Sequence, residues 1–206
     1  MPPKPTLRIG LIVECGNQGA EWKALPVLIR KIRAGLLYEL VAMDSKEKLL
    51  QSCGEQAKTL FDIGCQYVFI VWDLRPAWPD KKHKPCRREE RLKVIDTLNR
   101  AGVNSTKVVL LCISMEFEAW LLADGVAITA FIDPDGRWTP VPSHKKTDRN
   151  QNPKATLNTI FKPSKYGEYL DREHAVKICE HITSLSRMNK VKSFKRFRSK
   201  LDGIVA

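Results

Sequence analysis

The chain has 206 residues, 43% of them hydrophobic, enough for one large domain or one domain with a small appendage around a real core. Its 35 Lys and Arg against 23 Asp and Glu give a net charge of +12, which favours a polyanionic partner, nucleic acid first. The apolar runs fall well short of the roughly 20 residues of a membrane span, which argues against an integral membrane protein.

Met-Pro-Pro-Lys-Pro reads as a short disordered lead-in. Residues 7–14 predict a strand buried on both faces, ending on Glu14. A Cys-Gly step leads into a helix over 21–34, with Pro26 in its early turns and Gly35 as its stop. Residues 36–43 suggest a second strand, and 45–63 a helix ending at Gly64. CQYVFIVWD, residues 65–73, is the clearest strand and ends on Asp73. The loop 74–86 holds three prolines and a basic cluster, and a helix over 87–101 follows. The fourth strand, 106–114, runs into Glu116 and Glu118. Alternating strands and helices predict an α/β fold, a mostly parallel sheet with helices on both faces. From residue 125 to 152 the chain reads as a long polar loop. Helices then resume: one from Pro153 with Asn152 as its cap, one over 171–181, and a basic one over 190–201. The division expected is residues 5–130 as the α/β domain and 131–206 as a loop and helical extension packed on it.

Three strands thus deliver acids. Parallel strands present their C-terminal ends on one rim, so Glu14, Asp73 and the Glu116/Glu118 pair can meet there. Repelling carboxylates call for a divalent cation, and Mg²⁺ or Mn²⁺ with oxygen ligands suits phosphodiester hydrolysis. Taken singly, each acid could equally be a favourable charge at a helix N-terminus. In a helix Glu116 and Glu118 point about 200° apart, so one of them, preferably Glu118, faces the rim.

VECGNQGAEWKALPVLIRKI resembles the opening of Toprim domains, and FIVWDLR stands where Toprim domains carry Asp-x-Asp. ISMEFEAWLLAD, NPKATLNTIF and SFKRFRSKL are similar to an uncharacterised bacterial Toprim-like family, related to the Toprim domains of overcoming-lysogenization-defect nucleases. The resemblance implies a Toprim-like fold and an Mg²⁺-dependent nuclease, plausible as an effector of anti-phage defence beside an ABC-type ATPase. It assigns Glu14 and Asp73 as metal-binding catalytic acids, Glu118 or Glu116 as completing the metal shell, and Glu21 as an auxiliary acid. Two departures stand out: Cys15 separates Glu14 from Gly16, and Arg75 replaces the second aspartate. Arg75 could clamp a phosphate. It could equally mark a non-catalytic subunit that binds the ATPase or nucleic acid.

Residues 81–93 hold seven Lys and Arg against two Glu, and residues 187–200 hold seven and no acid. The first cluster follows Asp73, so Arg75, Lys81, Lys82, Lys84, Arg87 and Arg88 are the expected nucleic-acid contacts. Phe194 and Phe197 are expected on a buried helix face more than against bases. His83 and Cys86 lack the second pair a zinc site needs. GNQG lacks both the dinucleotide glycine pattern and the Walker lysine, and no GxSxG elbow occurs. The six scattered cysteines show no CxxC, and with no signal peptide ahead of them they read as the reduced thiols of a cytoplasmic protein.

Overall fold

A computed structural model of the chain describes residues 7–80, 84–137, 139–144 and 146–205. In chain order they form β1 (Arg8–Val13), α1 (Ala20–Ile32), β2 (Leu37–Ala42), α2 (Lys46–Asp62), β3 (Tyr67–Asp73), α3 (Arg87–Arg100), β4 (Val108–Ile113), α4 (Glu118–Leu121), α5 (Gly125–Ile132), α6 (Pro153–Phe161), α7 (Asp171–His181) and α8 (Lys192–Asp202). The expected α/β class is what forms. All strand pairs are parallel, in the order β2-β1-β3-β4. The chain leaves β1 towards β2 and then crosses to β3 on the other side. Strand order therefore reverses between β1 and β3, and a crevice opens above their C-terminal ends.

The strands read as near-continuous apolar runs because both faces are covered. On one face Ile12, Val68, Ile70, Trp72 and Leu110 pack under α2 and α3. The helices lie close: a Cβ at Gly54 of α2 would sit 2.1 Å from the Thr97 carbonyl oxygen of α3. On the other face Ile9, Leu11, Val13, Phe69, Val71, Leu111 and Ile113 share one core with α1 and with residues of α4 to α8. Phe194 and Phe197 are buried there against Trp120, with ring centroids 5.2 and 5.5 Å away, and Phe197 meets Phe69 edge-on. The apolar stripe of α8 is thus core, and its Lys and Arg lie outside.

Residues 125–132 correct the expected loop: they form α5. GVAITAFI opens on Gly and is rich in β-branched residues, a poor helix former by propensity. Tertiary contacts override this. The Asp124 side chain accepts the Ala127 amide at 3.2 Å, Ala127, Ile128 and Ile132 are buried, and a side chain at Gly125 would collide with the Val141 carbonyl oxygen. The α6 start forms as expected, with Pro153 in the first turn and the Asn152 side chain accepting the Ala155 amide at 3.1 Å. Among the described residues, no helix is long and apolar enough to cross a membrane.

If α8 is part of the core, truncating its central ring should unfold more than the C-terminus. Phe197→Ala should cost about 3–5 kcal/mol in urea unfolding, in one cooperative transition. A cost below about 1 kcal/mol would place α8 outside the cooperative unit.

Candidate acidic centre at the switch point of the sheet

Glu14 follows β1 by one residue. Its amide donates to the Val71 carbonyl of β3 at 3.2 Å, and its carboxylate Oε2 accepts the Asp73 amide at 3.0 Å. The first acid is therefore bound to the backbone that carries the second. Asp73 ends β3, and its Oδ2 accepts the Phe117 amide at 3.1 Å. Its Oδ1 is buried and no N–H or hydroxyl of the described residues satisfies it, while the Glu21 carboxyl stands within hydrogen-bonding reach of the Asp73 carboxyl. Cys15, between Glu14 and Gly16, tucks its sulfur where a side chain on Gly19 would stand.

The Phe117 amide is aimed by the turn after β4. Met115 adopts φ 67°, a left-handed conformation unusual for a side chain other than Gly or Asn. Its carbonyl accepts the Arg75 amide at 2.8 Å, which joins the exits of β3 and β4. The reversal lets Glu116, Phe117 and Glu118 wrap over Asp73. Glu118 is buried, and its Oε1 accepts the Tyr169 hydroxyl at 3.3 Å. Glu116 stays on the rim, where its Oε2 lies 3.4 Å from the Lys154 amide at the start of α6. Glu118 is thus the member of the pair that enters the cluster, and Glu116 closes its edge.

Glu21, in the first turn of α1, completes the group, with its carboxyl beside the Cys15 thiol and the Asp73 carboxyl. Four acids from β1, α1, β3 and α4 then share one partly desolvated space, and the protonated forms gain. Burial, above all, pushes Glu14 and Glu118 up to about 8. Burial and then the charges of Glu21, Glu14 and Glu118 raise Asp73 well above the carboxylate range. Burial raises Glu21 too, and with Glu21 alongside it holds the Cys15 thiol protonated.

Two cations frame the acids. Lys46, at the start of α2, is buried and donates to the Leu74 carbonyl at 3.0 Å, to the Pro76 carbonyl and to Glu90 at 3.3 Å. Glu90 also accepts the Trp72 indole N–H at 2.9 Å. Lys46 is the main charge that lowers the Glu14 pKa against burial. Lys154 pairs with Asp171 at 2.7 Å and its charge opposes the rise at Glu118.

Of the expected nucleic-acid contacts, Arg75 turns away from the acids and makes two hydrogen bonds to Gln151, at 2.9 and 3.0 Å. Arg87 donates to the Ser114 hydroxyl at 2.8 Å, close to the acids in sequence. Arg88 is exposed, and Lys84 lines a hollow with Trp78 and Lys93 below the loop after β3. Lys81 and Lys82 lie outside the described residues, as do His83 and the lead-in residues 1–6. Sequence reasoning missed Lys46, Lys154 and Tyr169. The one local signal was Lys154 beside the capped proline of α6.

A family model described as a domain of unknown function (DUF4276) matches residues 17–202, most of the chain. The chain belongs to this family. Glu21, Asp73, Glu116, Glu118 and Lys154 fall within the span that matches DUF4276, and Glu14 stands three residues before it. Comparison with curated proteins and with solved structures finds no match.

The donor set is all hard oxygen, which suits Mg²⁺ or Mn²⁺. Asp73 Oδ1, buried among the other acids with no N–H or hydroxyl on it, is where positive charge would be most stabilising. The residue types suit such an ion, but as the side chains stand no three His, Cys, Asp or Glu among the described residues are grouped as a ready ligand set.

The raised carboxyls set a pH dependence. With folded values near 8 against about 4.5 unfolded, the native state holds these protons more tightly. That stability is complete below about pH 4.5 and is lost as pH rises towards 8. Melting in chelator should therefore fall between about pH 5 and pH 8, and Asp73→Asn should flatten the fall. An equal slope in the variant would mean that the acids do not act as one group.

Proposed function

We propose that this chain is a divalent-metal-dependent nuclease acting on the phosphodiester bonds of DNA or RNA. The observation that carries the reading is the convergence of Glu14, Glu21, Asp73 and Glu118 at the β1/β3 switch point, with a buried carboxylate oxygen that no N–H or hydroxyl satisfies, in a chain of net charge +12. Acids held together at a ligand crevice destabilise the fold unless they serve a cation or share protons. A basic exterior suits a polyanion approaching such a centre.

Glu14, Asp73 and Glu118 would hold Mg²⁺ or Mn²⁺, with Glu116 at the open side. Bound there, the ion would supply the charge that offsets the phosphodiester's negative charge and the acidity that makes water a nucleophile near neutral pH. The chain's own part is positioning. The Asp73 and Phe117 amides fix the Glu14 and Asp73 carboxylates, Tyr169 fixes Glu118, and a group raised towards neutrality, such as Glu14, can exchange a proton at working pH. Lys154 stands at the rim where a phosphate oxygen would arrive. Arg75, bonded to Gln151, leaves the acids free of a salt bridge, which supports the catalytic reading over a purely binding one.

The expected result with Mg²⁺ or Mn²⁺ is nicking of plasmid or degradation of single-stranded DNA or RNA. Glu14→Gln with Asp73→Asn should lower it by at least about 100-fold, a loss typical of removed catalytic charge, without loss of folding. Equal cleavage by the double variant rejects this centre. In the same protein Mg²⁺ should raise the melting temperature more at about pH 8 than at about pH 5.5, because ligand carboxyls must shed their protons to bind it.

A further inference from the structure

The two basic clusters, far apart in sequence, meet in space. Arg87 and Arg91 of α3, one helical turn apart, face one side of a groove. Lys192 and Arg196 of α8, also one turn apart, face the other. The groove encloses about 280 Å³ along the edge strand β4, with Trp72, Leu110 and Cys112 among its lining residues. All four cations are exposed, and Arg91 and Arg196 form no ion pair among the described residues. The groove's acid, Asp148, is committed elsewhere: its Oδ2 accepts the Lys192 amide at 2.7 Å and its Oδ1 the Ser193 hydroxyl at 3.3 Å. It serves the N-terminus of α8, and its single charge stands against four cations in the groove lining. At one end lies Ser114, held by Arg87 and two residues from Glu116.

We infer that this groove is a track for the phosphodiester backbone of a nucleic-acid strand, leading along β4 to the acidic centre. Two rows of paired cations, one on each side of the edge strand, match a ligand whose negative charges repeat, where a lone small anion would occupy only one or two of them. Repulsion across the groove falls when phosphates enter it. The aliphatic stems of the Arg and Lys side chains give the sugars an apolar lining. The direction of the track rests on the nuclease reading of the acids; the binding itself does not.

The test separates the two. In chelator, where no cleavage occurs, the full chain is titrated into labelled oligonucleotides of about 20 nucleotides: single-stranded DNA, its duplex, and the matching RNA. Arg91→Glu with Arg196→Glu should weaken the best-bound probe by about tenfold or more near 0.1 M salt. For the duplex the salt slope should drop by roughly two, one for each phosphate that is no longer neutralised. Arg91→Lys with Arg196→Lys should retain most of the affinity. Lys58→Glu with Lys107→Glu, the same charge change beside the opposite rim of the sheet, should leave it nearly unchanged. Circular dichroism confirms folding of each variant. Wild type that binds none of the probes, unchanged affinity in the groove variant, or an equal loss in the opposite-rim control overturns the track. If the track fails while Glu14→Gln with Asp73→Asn still abolishes cleavage, the acidic centre stands without it. If the track holds and wild type cleaves nothing, the nuclease reading falls and the groove remains a nucleic-acid site.

Discussion

Glu14 accepts the backbone amide of Asp73 across the line where the strand order reverses, and Asp73 in turn accepts the amide of Phe117. Each acid is thereby tied to the element that follows it in the sheet, from β1 to β3 to the turn after β4. These bonds favour the ionised forms, yet burial outweighs them, and both carboxyls rise. The structure therefore holds a geometry that its own electrostatics oppose. The Glu14–Asp73 pair bound in this way stays together when its charges change, because the amides at two strand exits, of β3 and β4, would have to move for the acids to part.

The cost of that arrangement is met on either side of the crevice. Lys46 sits beneath it with two carbonyl acceptors from the segment after β3 and the Glu90 carboxylate, itself bonded to the Trp72 indole. A buried ion pair of this kind contributes little net stability, but removing one partner strands the other, at roughly 3–5 kcal/mol. Its consequence is positional. It pins the chain that leaves Asp73 and sets a positive charge near Glu14. On the outer side Lys154, paired with Asp171, does the same for Glu118.

Much of the frame was readable from residue order. The apolar runs ending on Glu14 and Asp73 form the two central strands, and the Asn152-Pro153 cap and the buried stripe of Phe194 and Phe197 are local signals of period and capping. α5 was hidden because its β-branched residues favour strand or loop until Asp124 and the core hold them. The acids could be named from the sequence, but their company could not. Lys46 reads as a surface residue in KEKLL, and Lys154 as another positive charge on a basic chain. Nothing local around Lys46 reports that the fold buries it, and at Lys154 the capped proline beside it marks a helix start and no more. The groove between α3 and α8 was hidden for the same reason: its two cation pairs are each ordinary until their helices, packed on opposite faces of the sheet, meet at its edge strand β4.

Arg75 shows how a local departure is absorbed. It stands where a second aspartate after Asp73 was expected, and its guanidinium grips Gln151 through both the carbonyl and the side-chain oxygen. That interaction anchors the turn from which Asn152 caps α6, and α6 carries Lys154 to the rim beside Glu116. The acids beside Asp73 come from helices, Glu21 of α1 and Glu118 of α4, whose charges act on it directly. An arginine at residue 75 thus positions the cation side of the crevice, while helices rather than strands supply its remaining acids. The centre depends on how α1, α4 and α6 dock on the sheet, so packing faults in those helices reach the acids without touching any of them.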